Sequence, residues 1–294
     1  MTLPPTEQLH PDALQLTPGN LVGAARALAE GQIAAATAVR DALDNIARGA
    51  EAMAETIRTD GVLHFVAAGS SGLMAAADAQ ELGGTFSIAP ARLRIHMAGG
   101  LPTGVQMPGG AEDATDGLDD VLSALTPHDT VIAVSASGST PYTLAAAKIA
   151  SARNATVIGI ANNAGSPLLQ GANIPILLAT PPELISGSTR MGAGTAQKIA
   201  LNMLSSLMAV ELGHVHGGMM VNMRADNDKL RARATGIVAR IAEVDTNTAQ
   251  QALDAANGEV KPAILIAAKG LSLAQAEARL QASKGILTAA LTQY

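Results

Sequence analysis

The feature that most constrains this 294-residue chain is a unit that occurs twice: a short apolar run that ends in small hydroxyl and glycine residues and leads into a helical pattern. Val62 to Ala68 is followed by Gly69-Ser70-Ser71-Gly72 and the helix-like stretch Leu73 to Leu82. Thr130 to Val134 is followed by Ser135-Ala136-Ser137-Gly138-Ser139-Thr140-Pro141 and a helix through Arg153. Each reads as a strand, a tight loop and a helix. Short apolar runs without alternation suit strands covered on both faces, and strands that alternate with helices form a parallel sheet. Leu93 to Met97, Thr156 to Ile160 and Ile174 to Leu178 are further strand candidates, with Asn162-Asn163-Ala164-Gly165 turning the chain after the second of them. Apolar spacing predicts helices from Asn20 to Arg58, and the chain after Thr195 reads as helical to its end. The expected fold is therefore α/β, a doubly wound parallel sheet flanked by helices, with a small helical C-terminal segment. A turn signal near Val244-Asp245 predicts a boundary between a body of residues 1–244 and a segment of residues 245–294.

Hydrophobic residues make up 48% of the chain but aromatics only 1%, so the core has to be filled by Ala, Leu, Ile, Val and Met. The net charge of −6 is spread along the sequence, and no basic cluster is interleaved with stacking aromatics, which argues against nucleic acid as a partner. The first residues, Met1 to Glu7, lack the basic and apolar segments of a secretory signal. The most apolar long stretch, Ile199 to Leu212, is too short to cross a bilayer and contains Asn202, Ser205, Ser206 and Glu211. A cytoplasmic location and no membrane partner are the expectations. With no cysteine, disulfides, thiolate nucleophiles and Cys-based zinc sites are all excluded. Catalysis falls to carboxylates, hydroxyls, histidine or backbone dipoles.

Ligands of open parallel sheets sit beyond the carboxyl ends of the strands, where both hydroxyl loops fall. Backbone N–H groups at a helix N-terminus, joined by hydroxyls, can hold a phosphate without many cations. Ser135, Ser137, Ser139 and Thr140 crowd one such position, with Pro141 suited to the first turn of the helix; Ser70 and Ser71 form the other. Taken singly, either loop could equally be a helix cap. Their recurrence after two strands favours a ligand. Gly-x-x-x-x-Gly-Lys-[Ser/Thr] is absent, and Gly69-Ser70-Ser71-Gly72 does not give Gly-x-Gly-x-x-Gly, so neither a P-loop nor a dinucleotide site is expected.

The stretch Ser186-Gly187-Ser188-Thr189-Arg190-Met191-Gly192-Ala193-Gly194-Thr195-Ala196-Gln197-Lys198-Ile199-Ala200-Leu201-Asn202-Met203-Leu204-Ser205 resembles the signature segment of the N-acetylmuramic acid 6-phosphate etherases. Thr6-Glu7-Gln8 with Pro11, Asp78-Ala79-Gln80-Glu81 with Thr85-Phe86, Gly110-Ala111-Glu112-Asp113 and Ala136 to Tyr142 extend the resemblance over nearly the whole chain. It implies the sugar isomerase fold, a homodimer, and a small-molecule sugar phosphate as the binding partner. The implied reaction cleaves the lactyl ether of N-acetylmuramic acid 6-phosphate to N-acetylglucosamine 6-phosphate and D-lactate, without metal or organic cofactor. Such chemistry needs a base to remove the proton on C2 of the open-chain aldehyde, an acid to protonate the departing lactate oxygen, and water to add at C3. By motif position Glu81 is the candidate acid and Glu112 the candidate base. Ser70, Ser71, Ser135, Ser137, Ser139 and Thr140 are the candidate phosphate ligands, while Ser188, Thr189 and Lys198 could line the pocket or merely serve the helix beside them.

The match departs from the family pattern at Leu73, Ser139 and Gly192, where Arg, Arg and Lys are usual, and Leu82-Gly83-Gly84 replaces Cys-Pro-Pro, exchanging a stiff loop for a permissive one. Three cations are missing, so two further readings stay open: aldose–ketose isomerisation of another sugar phosphate, and a non-catalytic sugar-phosphate-binding regulator. His64 and His96 lie in predicted strands and are expected to be packed. His214 and His216 stand two apart with no third ligand nearby, and no metal is expected there.

Overall fold

The computed structural model describes residues 3–223 and 227–292; Met1 and Thr2, where the N-terminal reading begins, lie outside them. The chain divides into two compact units, Met1–Gln80 with Ala91–Leu207, and Glu81–Pro90 with Met208–Tyr294.

In the first unit, α1 (Leu21–Ala38) and α2 (Leu43–Arg58) precede β1 (Leu63–Ala67) and α3 (Gly69–Phe86), which crosses into the second unit at Glu81. Then follow β2 (Leu93–Met97), α4 (Leu118–Val121), β3 (Thr130–Val134), α5 (Pro141–Ala152), β4 (Thr156–Ala161), α6 (Pro167–Gly171), β5 (Ile174–Leu177) and α7 (Gly192–Glu211). The strands form one parallel sheet in the order β2-β1-β3-β4-β5. β1 and β3 are buried throughout, which explains their unbroken apolar sequence. On one face Val66, Val131, Ala133, Val157 and Ala161 pack with Leu118, Leu122 and Leu168 and with Ala146, Ala147 and Ala150 of α5. Without a large aromatic to fill space, the alanines bring α5 onto the sheet. On the other face, Gly49 lets α2 approach Ile158 of β4 and Leu204 of α7. At the amino ends of the strands the buried Asp129 accepts bonds from Val62 N and Thr126 N, each at 2.7 Å, fastening β1 to the start of β3.

The second unit is held by one core. Val221, Met223, Ala234, Val238, Leu253, Ile264 and Leu287 belong to it, so α8 (Asp228–Ala242) packs with α9 (Thr246–Ala255), α10 (Val260–Lys269), α11 (Leu273–Ala282) and α12 (Leu287–Thr292). The turn expected near Val244-Asp245 is the junction of α8 and α9, where Glu243 adopts φ +56° and Asp245 caps α9 by accepting from Asn247 N and Thr248 N. The helical reading after Thr195 is interrupted between α7 and α8. Gly213, Gly217 and Gly218 take positive φ and admit a short antiparallel hairpin, β6 (Val215–His216) and β7 (Met219–Met220). The loop expected at Leu82-Gly83-Gly84 is likewise helical, because α3 runs on to Phe86 and closes with Ser87 N donating to Gly83 O and Ile88 N to Leu82 O. Among the described residues no helix is long and apolar enough to cross a membrane.

His64 and His96 sit side by side on β1 and β2, their rings stacked with centroids 5.2 Å apart and His64 Nδ1 3.0 Å from His96 Nε2. One ring nitrogen must donate and the other accept, so the pair is suited to neutral rings. Burial, with the His96 ring next in weight, pushes the His64 pKa down to about 4. The unfolded chain, with a histidine pKa near 6.5, binds this proton more readily than the folded one. Stability from this residue is therefore complete above pH 6.5 and declines as pH falls toward 4. His64→Gln is expected to flatten the fall in urea midpoint between those pH values; an unchanged slope would contradict the assignment.

Candidate active site

The pairing of β1 with β3 places Ala67 opposite Val134, so the two hydroxyl segments leave adjacent strands at the same edge of the sheet. Gly69-Ser70-Ser71-Gly72, expected as a loop, is already the first turn of α3, with Gly72 N donating to Ala68 O at 3.1 Å. Small residues permit that immediate start, and Gly69 supplies φ +55° at the junction. Ser71 is buried and Ser70 half-buried.

The second segment is a hydroxyl network. Ser135, 3% exposed, accepts from Gly138 N at 3.0 Å, and its Oγ lies 2.8 Å from Thr140 Oγ1 and 3.3 Å from Ser137 Oγ. Ser137 Oγ accepts from Ser139 N at 3.2 Å and from Ser139 Oγ at 3.0 Å. Thr140 is the N-cap of α5, and Pro141 its first residue, yet the Thr140 side chain makes no capping bond. Its hydroxyl is engaged by Ser135 instead, and the first-turn amides of α5 are left to an outside acceptor. The buried Ser135 thus braces the turn, while Ser137, Ser139 and Thr140 stay half-buried or exposed.

Glu112 lies on a short helical turn, Ala111–Asp113, and is exposed. A Cβ on Gly69 would stand 2.7 Å from Glu112 Oε1, so the carboxylate rests against the junction of β1 and α3 in a space that only glycine leaves open. Glu112 and both hydroxyl turns therefore come together at one end of the first unit's sheet. Glu81 is exposed on α3 and belongs to the second unit; it is in mid-helix rather than at a helix end.

Several residues at this edge are not evident from sequence. Asn163, read only as part of a turn, donates to Ser137 O at 3.3 Å and to Thr6 Oγ1 at 2.9 Å, which ties the buried Thr6 of the N-terminal segment to the hydroxyl turn. Its place directly after β4, equivalent to that of the serines after β3, is the signal that could have found it. Glu183 is buried and accepts from Gly192 N and Ala193 N, each at 2.9 Å, closing the N-terminus of α7. The Ser188 and Thr189 hydroxyls do not supply that cap, although Thr189 O accepts from Gly194 N at 2.8 Å. Lys198 is exposed and donates to Asn202 Oδ1, while Asn202 Nδ2 and Ser205 Oγ donate to Asp78 Oδ1 at 2.7 and 3.0 Å. Among the described residues no three His, Asp or Glu side chains gather as a metal site.

The SIS domain family matches residues 106–207, which include Glu112 and the hydroxyl turn before α5. The N-acetylmuramic acid 6-phosphate etherase of Deinococcus radiodurans is 43% identical over 285 residues, covering 95% of this chain and 92% of its own. This chain belongs to the N-acetylmuramic acid 6-phosphate etherase family. The etherase of Symbiobacterium thermophilum is 38% identical over 267 residues, 90% of this chain and 89% of that protein. Solved structures agree in fold: an E. coli CFT073 protein, c3406, in complex with A5P has a TM-score of 0.53 at 15% identity, over 69% of this chain and 97% of that one. A Listeria monocytogenes protein solved as a candidate sugar-phosphate isomerase has a TM-score of 0.52 at 14% identity, over 67% and 93%. The etherase family and the sugar isomerase fold implied by the signature segment are thus the family and fold of this chain.

Gly138 holds the etherase hydroxyl turn in shape. Its φ is +67°, and a Cβ there would fall 2.2 Å from Ser166 Oγ and 3.0 Å from Ala161 Cβ. Gly138→Ala is expected to destabilise the chain by about 1–3 kcal/mol, read as a lower urea midpoint, and to weaken sugar-phosphate binding. A variant that kept both would show that the turn is not constrained in this way.

Proposed function

We propose that this chain cleaves the lactyl ether of N-acetylmuramic acid 6-phosphate, giving N-acetylglucosamine 6-phosphate and D-lactate by elimination and water addition. Family membership supports the reaction, and one observation of geometry carries the site: the Glu112 carboxylate lies against Gly69 at the head of α3, on a turn, Ala111–Asp113, that packs against α5. The phosphate is assigned to the α5 turn, where Ser137, Ser139 and Thr140 offer hydroxyls beside free helix amides. Ser71 and Ser70 serve from the start of α3, and Ser135 holds the turn closed.

With the sugar open as its aldehyde, Glu112 takes the proton from C2. The electron pair moves to form the C2–C3 double bond as the C3–O bond to lactate breaks, and Glu81 protonates the departing oxygen. Water then adds, its hydroxyl at C3 and its proton at C2. The role of Glu81 rests on its motif, Asp78-Ala79-Gln80-Glu81. Leu73, Ser139 and Gly192 bring no charge, so phosphate recognition in this chain leans on hydroxyls and amides. The working form is taken to be a cytoplasmic homodimer, supported by the apolar side chains Leu14, Leu21, Val22 and Ile33 exposed in and before α1.

The test is D-lactate release from N-acetylmuramic acid 6-phosphate by the purified chain. Glu112→Gln and Glu81→Gln are each expected to lower the rate about 100-fold or more with substrate affinity retained. Conversion of an ether-free aldose phosphate to its ketose would establish an isomerase instead. Sugar-phosphate binding without any turnover, unaffected by Glu81→Gln, would establish a regulator.

A further inference from the structure

The second unit contains a cavity of about 410 Å3 that the proposed reaction does not use, within the roughly 300–1,000 Å3 of small-molecule sites. Its polar lining is Ser87, Asn222, Glu259, Lys261 and Glu277, with Gly285 beside them. Lys261 is 7% exposed, and its Nζ donates to Gly285 O at 2.8 Å, its one hydrogen-bond partner among the described residues. An ammonium has three donors, and a buried one without a counterion is costly. Burial pushes the Lys261 pKa down to about 8, so at neutral pH the cation is still present. Nearby His214, lowered to about 4 chiefly by burial and next by Lys261, adds no charge.

Two further features of the lining have unused donor capacity. Lys261 is the second residue of α10, the N-cap Glu259 makes no side-chain capping bond and the third residue is Pro262, so the amides of Val260 and Lys261 keep their donor capacity. Ser87 follows α3 at φ +56°, a conformation unusual for a residue with a side chain, and its Oγ is buried without a hydrogen-bond partner. Asn222 is fixed beside it by donating to Phe86 O at 3.1 Å. The exposed Glu259 and Glu277 also line the cavity.

We propose that this cavity binds a small organic carboxylate, held by the Lys261 ammonium with Ser87 Oγ and the α10 amides as additional donors. One negative charge neutralises Lys261; a phosphate dianion would add an excess charge facing two glutamates. The apolar Val221, Met223 and Leu280 suit a short hydrocarbon tail.

The test uses the full chain with sodium butyrate and inorganic phosphate as probes, followed by ligand-observed NMR and by the melting temperature. Saturable butyrate binding at pH 7 is expected, tighter than phosphate, and weakening as pH rises through 8. Lys261→Met is expected to reduce affinity about tenfold or more and Ser87→Ala several-fold, whereas Glu112→Gln leaves it unchanged. Should Lys261→Met fail to fold, Ser87→Ala and the pH dependence of the unaltered chain decide. Absence of saturable butyrate binding, phosphate binding as tightly, or full affinity in Ser87→Ala and Lys261→Met would each overturn the proposal. Loss of butyrate binding in Glu112→Gln would place the carboxylate in the proposed active site instead.

Discussion

The parallel pairing of β1 with β3 is the contact on which the candidate site depends. Because Ala67 is opposite Val134, two short segments from distant parts of the chain emerge together, and both turn at once into helices. Their strands are fixed at the opposite end by Asp129, whose buried carboxylate bonds to Val62 and Thr126. A slip in register would separate the hydroxyl turns and remove Gly69 from its place beside Glu112.

Two helix N-termini in the first unit are treated in opposite ways. That of α7 is closed by an internal anion, the buried carboxylate of Glu183 on the amides of Gly192 and Ala193. That of α5 is not, since the Thr140 hydroxyl is drawn aside to Ser135. Helix N-termini favour negative charge. One end has its own carboxylate, and the other is free for an external anion.

The second unit solves a different problem. Its helices share one apolar core, yet a buried lysine and a half-buried histidine stand at its margin, and both have pKa values lowered by burial. Packing alone would favour an apolar residue at position 261. The ammonium finds a single carbonyl, Gly285 O, and the residue lines a cavity.

The sequence by itself determined the parallel α/β architecture, because apolar runs such as Thr130 to Val134 have no polar face to give to water, and the hydroxyl segments that follow them must then fall at strand ends. It also determined the family, through the long segment around Ser186 to Ser205. What it could not determine were relations between residues far apart in the chain. Glycine 69 and Glu112 are adjacent only because β1 ends where the Ala111–Asp113 turn comes to rest. Thr6 reaches Asn163, and Glu183 caps α7, through bonds that have no local sequence signature. Helix limits were misread for a local reason: glycines 83 and 84 look like a loop, but packing of α3 on both sides of them outweighs their conformational cost of about 1 kcal/mol each. Strand pattern is a local property of side-chain burial, whereas the placement of a carboxylate against a glycine is settled only when the sheet has formed.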